Sequence, residues 1–154
     1  MQRFLLVALL AAGLAGTARA DWQYTRWGMT PEQVVRASGG KVSVLPKADR
    51  RRVEDANLET SATGTFQDGT LSLRVMFSFD TRTGGLACVF HGVMDPREND
   101  AFKALLLRRH GPPQDSSALP AIGQETMNWK LPADEIDLTV MTDDRAFATQ
   151  CKPD

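Results

Sequence analysis

Residues that bind metals or carry redox chemistry are scarce in this sequence. Among its 154 residues there are two histidines, His91 and His110, and two cysteines, Cys88 and Cys151. The histidines lack the H-E-x-x-H and H-x-x-x-H spacings of zinc sites, and the cysteines do not form a C-x-x-C motif. The sequence therefore predicts no metal, no cofactor and no redox-active cysteine pair.

Catalytic motifs are absent as well. The sequence contains no G-x-S-x-G elbow, no G-x-G-x-x-G loop and no P-loop. Carboxylates are plentiful, but nothing in the linear order brings two of them together as a general acid and base. The sequence favours a noncatalytic protein, with an enzyme as the alternative.

A long apolar run occurs only at the start of the chain. Arg3 precedes the apolar residues 4–16, and Ala18-Arg19-Ala20 forms an A-x-A cleavage site, so residues 1–20 are predicted to be a secretory signal peptide. The apolar run has about 13 residues, whereas a helix needs roughly 20 to span a membrane. We expect one domain over residues 21–154, periplasmic or secreted, with no membrane anchor after cleavage.

The charge balance gives no reason to expect a polyanionic partner. The chain has 18 basic and 19 acidic residues, and the signal peptide accounts for two of the basic ones. The basic cluster Arg50-Arg51-Arg52 is flanked by acidic residues and is typical of a solvated surface. We therefore expect no nucleic-acid binding.

The two cysteines are predicted to form a disulfide. Export would place them in an oxidising compartment, and an even number of cysteines favours pairing. A bond between Cys88 and Cys151 would close a loop of about 60 residues and stabilise the fold by about 3–4 kcal/mol in the chain-entropy model. It would attach the last strand of the chain to its central sheet.

A β-hairpin is predicted at the centre of the chain. Apolar residues occupy every second position from Leu71 to Phe79, the pattern of a strand with one buried face. A second β-rich run covers residues 85–93, and the turn Asp68-Gly69 connects an earlier run at 59–67. These three runs predict consecutive antiparallel strands.

Two helices are predicted from similar start signals. Thr30-Pro31-Glu32-Gln33 has a capping residue, a proline at the first helical position and the glutamine of a capping box. The second signal, Asp95-Pro96-Arg97-Glu98, lies 65 residues later and has Asp95 as the cap, Pro96 at the first helical position and Glu98 at the capping-box position. This spacing suggests a tandem repeat of a helix-plus-strands unit, although any helix that starts with proline has this form.

The remaining β-rich segments are 41–45, 125–131, 136–142 and 146–151. Residues 47–57 and the polar stretch up to Gly123 are predicted as connections. Together the segments indicate an α+β fold, an antiparallel sheet of six to seven strands with both helices on one face.

Four side chains are candidates for a binding site. Trp22, Trp27 and Trp129 would suit either a partner-binding surface or the core. His91 shares a face with Val89 and Val93 by strand alternation, where a histidine is more often structural than a ligand.

Residues 27–32, W-G-M-T-P-E, resemble the start of a group of small exported bacterial proteins, as does the later G-P-P at 111–113. The helix-plus-strands arrangement is similar to the repeat unit of β-lactamase inhibitory proteins and of a lipoprotein of the outer-membrane assembly machine. Unlike that lipoprotein, this chain has no cysteine for acylation near the cleavage site. The resemblance implies an exported protein whose role is binding.

We therefore expect a noncatalytic envelope protein that binds another protein. The alternative is a small-molecule-binding or hydrolytic domain that uses the open sheet face near His91.

Overall fold

The computed structural model describes residues 22–153. The predicted signal peptide, residues 1–20, lies outside the described residues. Within residues 22–153, no helix is both long enough and apolar enough to cross a bilayer.

The described residues form two α-helices and a single antiparallel sheet of nine strands, which confirms the predicted α+β class but exceeds the expected six to seven strands. The helices are Pro31–Ala37 (α1) and Asn99–His110 (α2). The strands are Val42–Val44 (β1), Arg51–Val53 (β2), Leu58–Asp68 (β3), Leu71–Asp80 (β4), Leu86–Val93 (β5), Asp115–Leu119 (β6), Gln124–Lys130 (β7), Glu135–Met141 (β8) and Phe147–Cys151 (β9).

The unexpected strands are β2 and β6, which lie where the sequence predicted connections. Every residue of both strands is exposed. Neither strand therefore has the buried alternation by which strands are recognised in a sequence. They form because they pair with the longer strands β3 and β7.

The sheet order is β1-β3-β4-β5-β9-β8-β7-β6, and β2 also pairs with β3. The N-terminal half of the chain thus forms one side of the sheet and the C-terminal half forms the other. Strands β5 and β9, the last of each half, are neighbours at the centre.

The two halves contain equivalent hairpins. In the first half, the 3-10 turn Glu54–Ala56 and Asn57 join β2 to β3. In the second half, the 3-10 turn Pro120–Ile122 and Gly123 join β6 to β7. Asn57 and Gly123 both have left-handed backbones, with φ of 52° and 61°. The helix and four strands therefore follow the same order in each half, and the first half contains β1 in addition.

Helix α1 begins as the sequence predicted. The Thr30 N–H donates to Gln33 Oε1 at 2.8 Å, and the Gln33 N–H donates to Thr30 Oγ1 at 3.4 Å. This reciprocal capping box satisfies two backbone donors that a helix start otherwise leaves free.

Helix α2 begins differently from the prediction. Pro96–Glu98 form a 3-10 turn, and Asp95 Oδ1 accepts from the Arg97 N–H at 2.9 Å. Glu98 does not complete a capping box, because its Oε1 accepts from the Ser72 N–H of β4 at 3.2 Å. The Glu98 side chain thus bonds to the backbone of β4 instead of to the backbone N–H of Asp95 at the helix start.

The segment before α1 joins the sheet at β5. The Gly28 N–H donates to Leu86 O at 2.9 Å, and the Leu86 N–H donates to Met29 O at 2.8 Å. A Cβ on Gly85 would lie 2.9 Å from Gly28 Cα. Glycine at 85 therefore permits this close approach of two backbones.

The core lies between the helices and one face of the sheet. Both helices contribute to it, α1 through Val34 and α2 through Phe102, Leu105 and Leu106. The alternating side chains of β4 meet them there, namely Leu71, Leu73, Val75, Phe77 and Phe79. We call this side of the sheet the covered face and the opposite side the open face.

Candidate functional site

Several large apolar side chains lie close together on the open face. The strand register places Met76 beside Phe90 and Phe90 beside Thr149. It also places Arg74 and Phe147 on either side of Gly92. Because every second side chain of a strand points to the same face, these residues lie opposite the core. Strands β4, β5 and β9 thus present a local apolar cluster away from the helices.

This cluster lines a groove of about 340 Å³. Its main lining side chains are Arg74, Met76, Phe90, Met94, Arg145 and Phe147, which together define the Phe90 groove. The rings of Phe90 and Phe147 are stacked with centroids 5.5 Å apart. Met94 and Phe147 remain 45% and 37% exposed. Large apolar side chains at such exposure, gathered at one place, are typical of a binding surface.

The disulfide lies beside the groove. Cys88 and Cys151 pair directly across β5 and β9, with Cα atoms 4.1 Å apart and sulfurs at the bonding distance of 2.09 Å. The predicted cysteine pairing is therefore confirmed. Phe90 is two residues from Cys88 on the same face, so the disulfide connects the two strands that carry the stacked rings. This attachment restrains the groove before any ligand binds.

The rim of the groove is held from the covered side by a buried asparagine. Asn99 Nδ2 donates to Met141 O at 3.0 Å and to Asp144 O at 2.8 Å. Its Oδ1 accepts from the Ala146 N–H at 2.7 Å. These bonds fix the connection between β8 and β9, and Arg145 projects from it. The sequence contained no signal for this role, because the partners of Asn99 are more than 40 residues away.

Two arginines line the groove without forming salt bridges to other described residues. Neither Arg74 nor Arg145 forms a salt bridge within residues 22–153. A second cavity of about 270 Å³ lies alongside, shares Arg74 and Met94 with the groove and adds Lys41. Lys41 also has no salt bridge among the described residues.

Two carboxylates lie near these arginines. Asp95 is paired with Arg97, and hydrogen bonds from the Arg97 side chain and backbone lower the pKa of Asp95 to about 2. Asp144 lines the groove itself, and its carboxylate accepts from the Arg145 backbone N–H at 2.7 Å. The groove is thus lined by two guanidinium groups, Arg74 and Arg145, and one carboxylate, Asp144, so its net charge is positive.

The rest of the open face is polar. On β6, β7 and β8 the register brings together Asp115, Asn128 and Asp137, and the Asn128 amide donates to the Asp137 carboxylate. Ser117 and Thr126 share a hydrogen bond of 2.9 Å in the neighbouring row. The apolar exception is Leu119 at the end of β6, which lies on this face and is 53% exposed.

His91 lies on the covered face, so the prediction that it borders the open face is wrong. Its side chain is 0% exposed, and its ring is 4.0 Å from Trp22 and 6.4 Å from Phe102. Neither ring nitrogen forms a hydrogen bond with a described protein group. Burial lowers the pKa of His91 to about 3, and the positive charges of Arg109 and His110 act in the same direction. His91 is a neutral core residue that cannot serve a site on the open face.

The tryptophans are also structural. Trp22 and Trp129 are 2% and 1% exposed, and Trp129 Nε1 donates to Gly111 O at 3.0 Å. Trp27 is half-buried, and its Nε1 donates to Ala133 O at 2.9 Å. Trp22 and Trp129 therefore do not form the partner-binding surface that was one of their two predicted uses.

Among residues 22–153, no three His, Cys, Asp or Glu side chains are grouped so as to hold a metal ion. The fold and site define an α+β protein with one antiparallel sheet and an apolar, cationic groove on its open face. Comparison of the chain with protein-family models, curated proteins and solved structures found no match.

Proposed function

We propose that this chain is an exported, noncatalytic protein of the cell envelope that binds another protein through the open face of its sheet. The observation that carries the proposal is the Phe90 groove, where exposed apolar side chains form a cluster although the core lies on the opposite face. Apolar and aromatic side chains in a restrained pocket are the residues that contribute most to protein binding.

The export part of the proposal depends on the sequence and on the disulfide. Residues 1–20 have the three parts of a secretory signal, and a bond between Cys88 and Cys151 is stable in an oxidising compartment. The W-G-M-T-P-E segment supports membership of the group of small exported proteins that it resembles. Intact mass of the protein from a periplasmic fraction tests this part: the chain should begin at Asp21, and a cytoplasmic, uncleaved chain would refute export.

Binding through the open face can be tested by site-specific photo-crosslinking. A photoreactive amino acid at Thr149 lies on the open face next to Phe90, and one at Ala101 lies on the exposed side of α2. We expect a discrete protein adduct in envelope extracts from position 149 and none from position 101. An adduct from position 101 alone, or none from either position, would contradict the proposal.

A small-molecule role is the second candidate, because a groove of about 340 Å³ is within the size range of ligand pockets. In this version the ligand occupies the Phe90 groove, since His91 faces the core. The crosslinking experiment distinguishes the two: a small-molecule-binding protein gives no protein adduct at position 149.

A further inference from the structure

We propose that the Phe90 groove binds an extended, acidic segment of the partner, which inserts one large apolar side chain and places carboxylates on Arg74 and Arg145. This inference rests on the proposed protein-binding function and adds the chemistry of the partner. It follows from the lining, the charge and the length of the site.

The apolar lining of the Phe90 groove favours an apolar side chain of the partner. Met76 and the stacked rings of Phe90 and Phe147 form the apolar part of the groove that Arg74 and Arg145 also line. Methionine is flexible and polarisable and adapts to different apolar groups, and the aromatic rings offer stacking surfaces. A phenylalanine or leucine of the partner would remove the exposed apolar area of Phe147 and Met94 from water.

The positive charge of the groove favours a partner segment in which acidic residues flank that apolar side chain. Lys41, Arg74 and Arg145 lie along the groove and its adjoining cavity, and none of them forms a salt bridge within residues 22–153. The whole chain has the opposite sign, a formal net charge of −1. The two linings contain one carboxylate, Asp144, against these three cations, so the site is locally positive. It complements carboxylates rather than a basic or neutral segment.

The length of the site favours a peptide segment over a single small molecule. Arg145 precedes β9 and Lys41 precedes β1, so the two cavities extend across β9, β5, β4, β3 and β1. Four spacings between neighbouring strands amount to about 19 Å, which an extended chain of about six residues covers. The bound segment would cross the strands of the open face.

The test uses the disulfide-bonded mature protein, residues 21–154, and three labelled hexapeptides with blocked ends. The acidic peptide is E-S-F-S-E-G, the basic control is K-S-F-S-K-G and the polar control is E-S-S-S-E-G. Fluorescence anisotropy should give a Kd below about 1 mM for the acidic peptide. We expect binding about tenfold weaker or more for each control, because two surface ion pairs or one buried ring contribute on this scale.

Variants locate the binding. Replacing both Arg74→Gln and Arg145→Gln, or Phe147→Ser alone, should weaken the acidic peptide at least about tenfold. The matched control is Lys130→Gln, which removes an exposed cation from the polar part of the same face. That variant should bind like the unaltered protein.

Several results would overturn the inference. One is equal binding of the acidic and basic peptides. Another is a loss of acidic-peptide affinity in the Lys130→Gln variant as large as in the groove variants. The third is binding of 3-phenylpropionate as tight as that of the acidic peptide. If the Thr149 position crosslinks a partner but the peptides are not discriminated, the proposed function stands and this inference fails. If crosslinking and peptide binding are both absent, both fail.

Discussion

The two faces of the sheet differ most clearly along β4. Phe77 is fully buried under the helices, whereas its neighbour Met76 lies in the Phe90 groove on the open side. On the covered face, apolar side chains from β3 to β8 join one core. On the open face, the stacked rings of Phe90 and Phe147 and the side chain of Met76 form a groove on β4, β5 and β9. The covered face therefore forms the core, whereas the groove leaves apolar side chains in contact with water.

Residues of the same strand are therefore expected to differ in role: those on the covered face stabilise the fold, and those in the groove bind a partner. A side chain on the covered face contributes through burial, and its loss leaves a cavity. A side chain on the open face still contacts water, so its loss changes the free energy of unfolding little but removes a contact for a partner. The predictions below test this separation.

The largest effect is expected for a single truncation in the core. Phe77→Ala should lower the free energy of unfolding by about 3–5 kcal/mol, because a fully buried ring is replaced by a cavity. The control Met76→Ala, one residue away, should cost about 1 kcal/mol or less. Urea denaturation followed by circular dichroism measures both. Equal losses would show that the faces are not energetically distinct.

Removal of the disulfide is expected to have the next largest effect. Cys88→Ser with Cys151→Ser opens a connection between residues 63 apart and should cost about 2–4 kcal/mol. Reduction of the unaltered protein is the control and should give the same loss. Thermal unfolding with and without reductant measures it, and an unchanged midpoint would contradict a stabilising bond.

Asn99→Ala tests the connection between the covered face and the rim of the groove. The substitution removes three hydrogen bonds and leaves the Ala146 N–H without its acceptor, which should cost about 1–3 kcal/mol. It should also weaken the acidic peptide, because Arg145 loses its fixed position. Asp100→Ala, at the exposed neighbouring position, is the control for both measurements.

The smallest effect is a pH dependence from His91. Its pKa is about 3 in the folded chain and near 6.5 when unfolded, so the unfolded chain binds the proton first. The contribution of neutral His91 to the free energy of unfolding is fully present above about pH 6.5 and decreases as the pH falls toward 3. About 1 kcal/mol is lost between pH 6.5 and 5.5.

His91→Leu should remove this loss, as measured by urea denaturation at both pH values. Burial also lowers the pKa of the half-buried His110, so His110→Gln is the control and should retain most of the dependence. A pH dependence unchanged in His91→Leu would assign it to another group.

Local sequence signals predicted the elements that local interactions build. The Thr30 capping box and the alternating apolar residues of β4 both involve residues close in sequence, and both occur as expected. Strands β2 and β6 were missed because pairing with β3 and β7, rather than burial, makes them. The second capping box was wrong because Glu98 is bonded to Ser72 in another element.

The candidate site was predicted only in part. Alternation correctly placed His91 with Val89, and the cysteine count correctly paired Cys88 with Cys151. Alternation cannot tell which side of a strand the helices cover. The sequence therefore predicted a site near His91, whereas the side chain that lines the groove is that of its neighbour Phe90.

The amino-acid sequence alone determined the α+β class, the start of the first helix, the central hairpin and the cysteine pairing. These features depend on residue spacing, turn chemistry and composition. Tertiary structure decided which face of the sheet became the core, where the tryptophans and His91 were buried, and that Arg74, Phe90, Arg145 and Phe147 meet in one groove. The reason is physical: these residues are distant in sequence, and only strand register and the helices on one side bring them together.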